Sequence, residues 1–254
     1  MDQELKGRTA LVTGASRGIG AATAIALANS GVSRFILHYN SYKPGVEKVM
    51  ASVHQAGARA QAVQADLGTD DGIQAFMKHL TANEPGVDIL INNAGSLVKR
   101  AKLAEFSSEL FDRVLTLNVK SAWLIAQAVA PHMLAAKSGC IINISSIAAR
   151  NGGGVGATIY AAAKAAVSAI TKGLAKELAP QGVRVNAVSP GTVDNDFHAQ
   201  FSTRQILDTV VTATPAGTLG TNEEIADTIL FLCSHAARYI HGQTIEVNGG
   251  MFMV

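Results

Sequence analysis

Short apolar runs alternate with longer amphipathic stretches along the chain. The runs "TALVT" (9–13), "RFILHY" (34–39), "AQAVQAD" (60–66), "VDILINNAG" (87–95), "GCIINISS" (139–146), "VRVNAVSP" (183–190) and "QTIEVNG" (243–249) predict strands. Several are continuous rather than alternating in polarity, as strands are when helices cover both faces of their sheet. Between them, 19–30, 44–56, 70–82, 107–136, 158–179, 203–211 and 222–234 read as helices. This alternation predicts an α/β chain on a doubly wound parallel sheet of about seven strands, with right-handed crossovers. No repeat, low-complexity tract or linker divides the chain, so a single domain over 1–254 is expected. The segment 192–218, after Pro190-Gly191, reads as one long irregular loop of the kind that covers a site.

Composition narrows the classes. Hydrophobic residues make up 48% of the 254 residues and charged residues 16%, which fits a well-buried interior. A net charge of +2 leaves no footprint for nucleic acid or an anionic membrane surface. No run approaches the roughly 20 apolar residues that span a bilayer. The start, "MDQELKGR", lacks the apolar core of a signal peptide, so a cytoplasmic location is expected. Cys140 and Cys233 lie far apart, each in an apolar run, and read as core filler rather than a disulfide scaffold or zinc site; no metal site is expected.

The first strand runs directly into "TGASRGIG" (13–20) and then a helix. Glycines at 14, 18 and 20 permit a tight turn whose backbone can approach a pyrophosphate, which then rests on the helix N-terminus. Ser16, Arg17 and Ile19 complete this cofactor-binding turn. In an NAD site an acid is expected about 20 residues on, to meet the adenosine ribose. The matching stretch, "LHYNSYK" (37–43), has none and offers Asn40 and Ser41, while Arg17 stands in the turn. A phosphate dianion is welcomed by arginine and repelled by carboxylate. NADP(H) is therefore expected in preference to NAD(H), with NAD(H) as the alternative.

Within "TIYAAAKAA" (158–166), Tyr160 and Lys164 are four residues apart and share one helix face. A phenol of pKa about 10 exchanges protons poorly at neutral pH, and a neighbouring ammonium lowers that value. The pair suits alcohol–ketone interconversion. Ser146 ends a strand, at the edge where such sheets bind ligands, and could hold a carbonyl oxygen beside Tyr160.

These motifs, with "NNAG" (92–95), Asn118 in "LNV", "PG" (190–191) and "VNGG" (247–250), resemble in order and over nearly the whole chain the short-chain dehydrogenase/reductase family, in its single-domain Rossmann-type branch. The resemblance implies Tyr160 as general acid/base, Ser146 as its partner at the carbonyl, and Lys164 as the group that binds the nicotinamide ribose and depresses Tyr160. It implies that Asn118 distorts its helix to hold a proton-relaying water. It also implies that Asp66 and Leu67 contact adenine, that Asn93, Ala94 and Gly95 line the adenosine side, and that Pro190, Gly191 and Val193 cup the nicotinamide.

The sub-pattern is similar to that of 3-oxoacyl-[acyl-carrier-protein] reductases, with departures. Asn195 stands where threonine is common, and can still bond the cofactor carboxamide. The loop "IAARNGGGVGATI" (147–159) is longer and glycine-rich. Of two bases expected beside the pocket mouth for an acidic carrier protein, Lys137 is present and the other is Gln181, with Lys172 and Lys176 nearby. Docking of an acyl carrier protein is left open, as are substrate and direction. The readings are an NADPH-dependent carbonyl reductase of a small-molecule ketone, a dehydrogenase oxidising an alcohol, polyol or steroid, and a non-catalytic NADP-binding sensor. The resemblance also implies a homotetramer, through "LIAQAVAPHML" (124–134) and "MFMV" (251–254).

Overall fold

A computed structural model describes residues 5–83 and 86–253. The first four residues of "MDQELKGR" and Val254 of "MFMV" lie outside the described residues. The strands are β1 (Thr9–Val12), β2 (Arg34–Tyr39), β3 (Arg59–Gln64), β4 (Ile89–Asn92), β5 (Gly139–Ile144), β6 (Val183–Pro190) and β7 (Thr244–Val247). They form one parallel sheet in the order β3-β2-β1-β4-β5-β6-β7, so the chain reverses its direction of travel between β1 and β4. The helices are α1 (Gly18–Asn29), α2 (Lys43–Gln55), α3 (Asp70–Asn83), α4 (Ser108–Leu115), α5 (Ser121–Ala136), α6 (Ala148–Asn151), α7 (Thr158–Leu178), α8 (Asp196–Phe201), α9 (Arg204–Ala213) and α10 (Asn222–Cys233).

Side chains of a strand point alternately to its two faces, and both faces here are dry. Ala10 and Val12 of β1, with Phe35 and Leu37 of β2, pack toward α1, α2 and α10. Leu11 and Ile36, between them in sequence, pack toward α3, α5 and α7. This two-sided burial explains why the strands read as continuous apolar runs. The all-parallel pairing aligns every strand's C-terminal end along one edge of the sheet, where the βα turns meet.

Two expectations change. The predicted helix 107–136 is three pieces: α4, a π-helical segment (Thr116–Lys120) and α5. Asn118 is the cause. Its side-chain Nδ2 donates to Val114 O at 2.9 Å, the carbonyl an α-helical backbone N–H at 118 would take, and the ladder widens until Ser121 N–H reaches Thr116 O. The expected irregular loop 192–218 also holds α8 besides the foreseen helix near 203–211, now α9. Local caps make both possible: Asn195 Oδ1 accepts from Phe197 N–H, and Thr203 Oγ1 from Ile206 N–H.

Candidate active site

A cavity of about 640 Å3 opens at the C-terminal edge of the sheet. All of the cofactor and catalytic residues expected from sequence line it except Gly20 and Asn118. Gly20 lies one layer behind. A Cβ there would strike Gly14 O and the Asn93 side chain, so glycine lets the α1 N-terminus approach the turn.

The turn after β1 is held from two sides. Thr13 Oγ1 accepts from Asn93 N–H and Ala94 N–H, both at 2.9 Å, joining the ends of β1 and β4. Asn93 Nδ2 returns bonds to Thr13 O and Gly14 O at 2.8 and 3.1 Å. On the other flank Gly14 N–H donates to His38 Nδ1 at 3.1 Å, and His38 Nε2 meets Ala65 O at 3.0 Å. The first contact requires a bare Nδ1 and the second a proton on Nε2, so the ring is neutral and bridges the turn to the ends of β2 and β3. Burial pushes His38 down to about 4, against the bond to Ala65 and the charge of Asp66. Sequence reading passed over His38; a polar side chain inside "RFILHY", beside the glycine turn, was the available signal.

The group these residues would hold is a dinucleotide, and they fit it. Arg17 caps α1 with no side-chain bond and no acid follows in the first turn, so the helix N–H groups are left to an external anion. Arg17 itself lies over the Tyr42 ring at 5.8 Å, with its Nη1 3.6 Å from Asp196 Oδ2. Asn40 and Ser41 line the same end of the cavity. Asp66 is doubly bonded to Arg113 Nη2 at 2.9 and 2.8 Å and accepts from Gly68 N–H. Desolvation works against ionisation there, but Arg113 and Gly68 prevail and hold the carboxyl below its usual range. Arg113 is a second cavity residue that sequence reading missed.

At the other end Tyr160, Ser146 and Lys164 converge. Tyr160 and Ser146 face the same cavity, and Ser146 Oγ accepts from Ala148 N–H at 3.1 Å. Lys164 is buried, its Nζ donating to Ile144 O at 2.7 Å and lying 5.7 Å from the Tyr160 ring centre. The expectation that Lys164 depresses the tyrosine is not met in this arrangement. Burial pushes the phenol up to about 12, with only Ser146 opposing, and burial draws Lys164 down to about 8. Desolvation disfavours the charged form of each group, and the ammonium spends its hydrogen bond on a strand carbonyl.

Asn118 distorts its helix as expected, and its side chain and that of Asn195 are both bonded within the protein. Asn118 Oδ1 accepts from Ser96 N–H at 3.1 Å while its Nδ2 donates to Ser96 O and Val114 O, so both ends of the amide are engaged by protein. It nevertheless adjoins the site: a Cβ on Gly95 would fall 2.6 Å from Asn118 Oδ1 and 2.9 Å from Lys164 Nζ. Asn195 caps α8 and donates to Asn222 Oδ1 at 3.0 Å, so its amide is committed to the scaffold.

Over the catalytic end sits an aromatic group. Phe197 lies 5.8 Å from Tyr160, 5.1 Å from Phe201 and 5.2 Å from His198, ring centre to ring centre. Arg100, unforeseen in the sequence, clasps this group: its Nε donates to Phe201 O at 2.7 Å and its Nη1 to Val155 O at 2.9 Å, joining α8 to the glycine-rich loop. Burial, and then the charge of Arg100, push His198 down to about 4, so it stands neutral.

A glycine turn on an uncapped helix N-terminus, and a Ser–Tyr–Lys group at the same sheet edge, define a nicotinamide-dependent oxidoreductase of Rossmann type. The family profile described as enoyl-(acyl carrier protein) reductase matches residues 14–252, and the chain belongs to the short-chain dehydrogenase/reductase family. It is 41% identical over 250 residues to the 3-oxoacyl-[acyl-carrier-protein] reductase of Synechocystis sp., covering 98% of each chain. It is 37% identical over 246 residues to the corresponding reductase, FabG, of Staphylococcus aureus (strain Mu50), covering 97% of this chain and 98% of that one. Among solved structures, a protein assigned as an NAD(P)-dependent gluconate 5-dehydrogenase from Beutenbergia cavernae, with bound NADP, superposes with a TM-score of 0.90 at 37% identity over 99% of each chain. No helix among the described residues is long and apolar enough to cross a membrane.

His38 generates a prediction. Its folded pKa is about 4 against an ordinary 6.5, so between these values the unfolded chain binds a proton that the native chain refuses. Its contribution is present above pH 6.5 and lost as pH falls through about 4. Urea titrations across this window are expected to show stability falling with acid, less steeply in His38→Asn. His38→Ala is expected to raise the cofactor KM several-fold with little change in kcat, and an unchanged KM would refute the positioning role.

Proposed function

We propose that the cavity is an NADPH-dependent ketone-reducing site in which Tyr160 gives the proton and Ser146 holds the carbonyl oxygen. Lys164 binds the nicotinamide ribose. When bound, the nicotinamide supplies hydride to the carbonyl carbon. The observation that carries the reading is that Tyr160, Ser146 and Lys164 line the same cavity as the glycine turn. Burial pushes the Tyr160 phenol up to about 12, so it is protonated at neutral pH and can give a proton where an oxygen would gain charge. Lys164, bonded to Ile144 O, keeps cationic charge on the same face. Phe197 and Phe201, the latter held at its backbone by Arg100, give that end an apolar wall.

Arg17, Asn40 and Ser41 would receive the extra phosphate of NADP, with Arg17 exchanging its long contact to Asp196 for a closer anion. Asp66 and Leu67 would flank the adenine, and Pro190, Gly191 and Val193 the nicotinamide, all of them cavity residues. The engaged amide of Asn118 assigns it to holding the Ser96 backbone and the π-segment beside Lys164.

The names of the sequence relatives support a 3-oxoacyl thioester as substrate. The assignment of the Beutenbergia cavernae protein supports a second reading, oxidation of a hydroxyl on a sugar acid. Carrier-protein docking has a geometric constraint. Lys137 caps α5 just before β5, and Gln181 lies just before β6, so both sit at the strand N-terminal edge, opposite Tyr160. They can meet a carrier protein at an active site only across a boundary between chains. Half-exposed Phe111 on α4 and Trp123 on α5, with exposed Met253, support the homotetramer.

Three measurements test these readings. Tyr160→Phe is expected to keep fold and NADPH binding while losing at least about a hundredfold in kcat; near-wild-type turnover in an NADPH-consumption assay over 3-oxoacyl thioesters and keto-sugars would overturn the role. Arg17→Ala is expected to lower kcat/KM for NADPH about tenfold and leave NADH little changed, about the effect of one charge-assisted pair. Light scattering is expected to give four chains per particle, and a monomer would remove the cross-chain docking surface.

A further inference from the structure

The charged side chains in the cavity wall are Arg17, Asp66, Arg100, Arg113, Lys164 and Asp196. Arg17 faces Asp196 at 3.6 Å, and Arg113 holds Asp66 at 2.8 Å. Lys164 donates to Ile144 O and is assigned to the nicotinamide ribose. Of these groups Arg100 alone has neither an acidic partner among the described residues nor a part in holding the cofactor. Its two bonds go to neutral backbone carbonyls, Nε to Phe201 O at 2.7 Å and Nη1 to Val155 O at 2.9 Å. Such a tie between α8 and the glycine-rich loop uses N–H donors and needs no net charge. The charge itself stands half-buried and unmatched, with Nη2 unpartnered among the described residues. His198 beside it is neutral and supplies no second charge. The place of Arg100 relative to the chemistry is also defined. It bonds the backbone of Phe201, whose ring lies 5.1 Å from that of Phe197, which in turn lies 5.8 Å from Tyr160. The cation and the proton donor thus stand at the two ends of one row of apolar contacts.

We propose that Arg100 binds a carboxylate on the substrate, so that the site takes oxo acids whose carboxylate lies several atoms from the ketone in preference to neutral ketones. The inference rests on the reading of Tyr160 as the proton donor to a ketone. A carboxylate fits the cation in shape as well as charge, because its two oxygens can meet the free N–H groups of Nη1 and Nη2 side by side. The apolar row between Arg100 and Tyr160 suits the carbon chain that joins the acid to the ketone. An acyl thioester brings a neutral chain past the same wall and leaves the guanidinium without an anion. The charge of Arg100 therefore favours a free acid over a thioester as substrate. Arg100 touches the substrate away from the reacting atoms, so it sets affinity and selectivity and takes no proton.

The test uses the full chain with NADPH. 4-Oxopentanoate, 5-oxohexanoate and 6-oxoheptanoate are each compared with the amide of the same chain by NADPH consumption. For at least one chain length, kcat/KM for the acid is expected to exceed that for the amide by about tenfold or more, the difference lying in KM. Sodium chloride is expected to raise KM for the acid and to leave that for the amide unchanged. Arg100→Met should bring the acid down to the level of the amide, and Arg100→Lys should keep part of the preference, since the charge remains and the planar fork is lost. Loosening the tie to α8 affects both members of a pair, so the acid-to-amide ratio isolates the anchor. Should Arg100→Met fail to fold, the wild-type ratio and its salt dependence decide. Amides reduced as well as acids by the wild type, or a preference that survives in Arg100→Met, overturn the anchor while leaving the Tyr160 reading intact. If no ketone is turned over, that reading falls, and calorimetry of the three acids onto the NADPH-loaded protein judges Arg100 separately. Binding about tenfold weaker in Arg100→Met then supports the anchor, and equal or absent binding overturns it.

Discussion

An ammonium group buried against a strand carbonyl is the constraint on which the catalytic end depends. Lys164 is almost wholly buried, so its ammonium leans on protein, and Ile144 O at the end of β5 holds it. That bond fixes α7 against β5 in both rotation and translation. The neighbouring contacts share the work. Ser145 Oγ donates to Lys164 O at 3.0 Å and pairs with Ser168, while Asn143 Nδ2 donates to Thr171 Oγ1 at 2.9 Å and Asn92 Nδ2 to Asn143 Oδ1 at 3.0 Å. A chain of polar groups thus runs through an otherwise apolar interior from β4 to α7. With Asn143, Ser145 and Thr171 all bonded, the chain restricts the placement of Tyr160 relative to Ser146.

The cofactor end obeys a different logic. There the backbone is the functional surface, and side chains serve to hold it. Thr13, Asn93 and His38 bond the turn from the β4 and β2 sides, leaving the α1 N-terminus pointed into the cavity. The two ends share β4 and β5 as a common base, so their separation is set by the sheet rather than by any loop.

Much of this was legible in the sequence because it rests on period and spacing. The strand and helix order, the glycine turn, the Tyr160–Lys164 stacking and Ser146 at a strand end follow from local pattern. What escaped notice depends on contacts between distant segments. His38 reads as one more strand residue until Gly14 and Ala65 lie on either side of it. Arg113 and Arg100 sit in polar stretches with no motif, and their partners Asp66, Val155 and Phe201 are far away in the chain. The direction of the Tyr160 shift was misjudged for a related reason. Helical spacing reveals a nearby charge, but not how dry its surroundings are, and here desolvation outweighs proximity.

The π-segment at Asn118 carries a consequence for the outer surface. An α-helix turns about 100° per residue, so one extra residue in a turn resets the angular phase of everything after it. Asn118 therefore selects which stripe of α5 faces inward, placing Ile125, Val129 and Met133 in the core and Trp123 outside. A side chain beside the active site thereby acts as the phase marker for a face of the molecule several turns away. Losing its amide would turn that face relative to the rest of the fold.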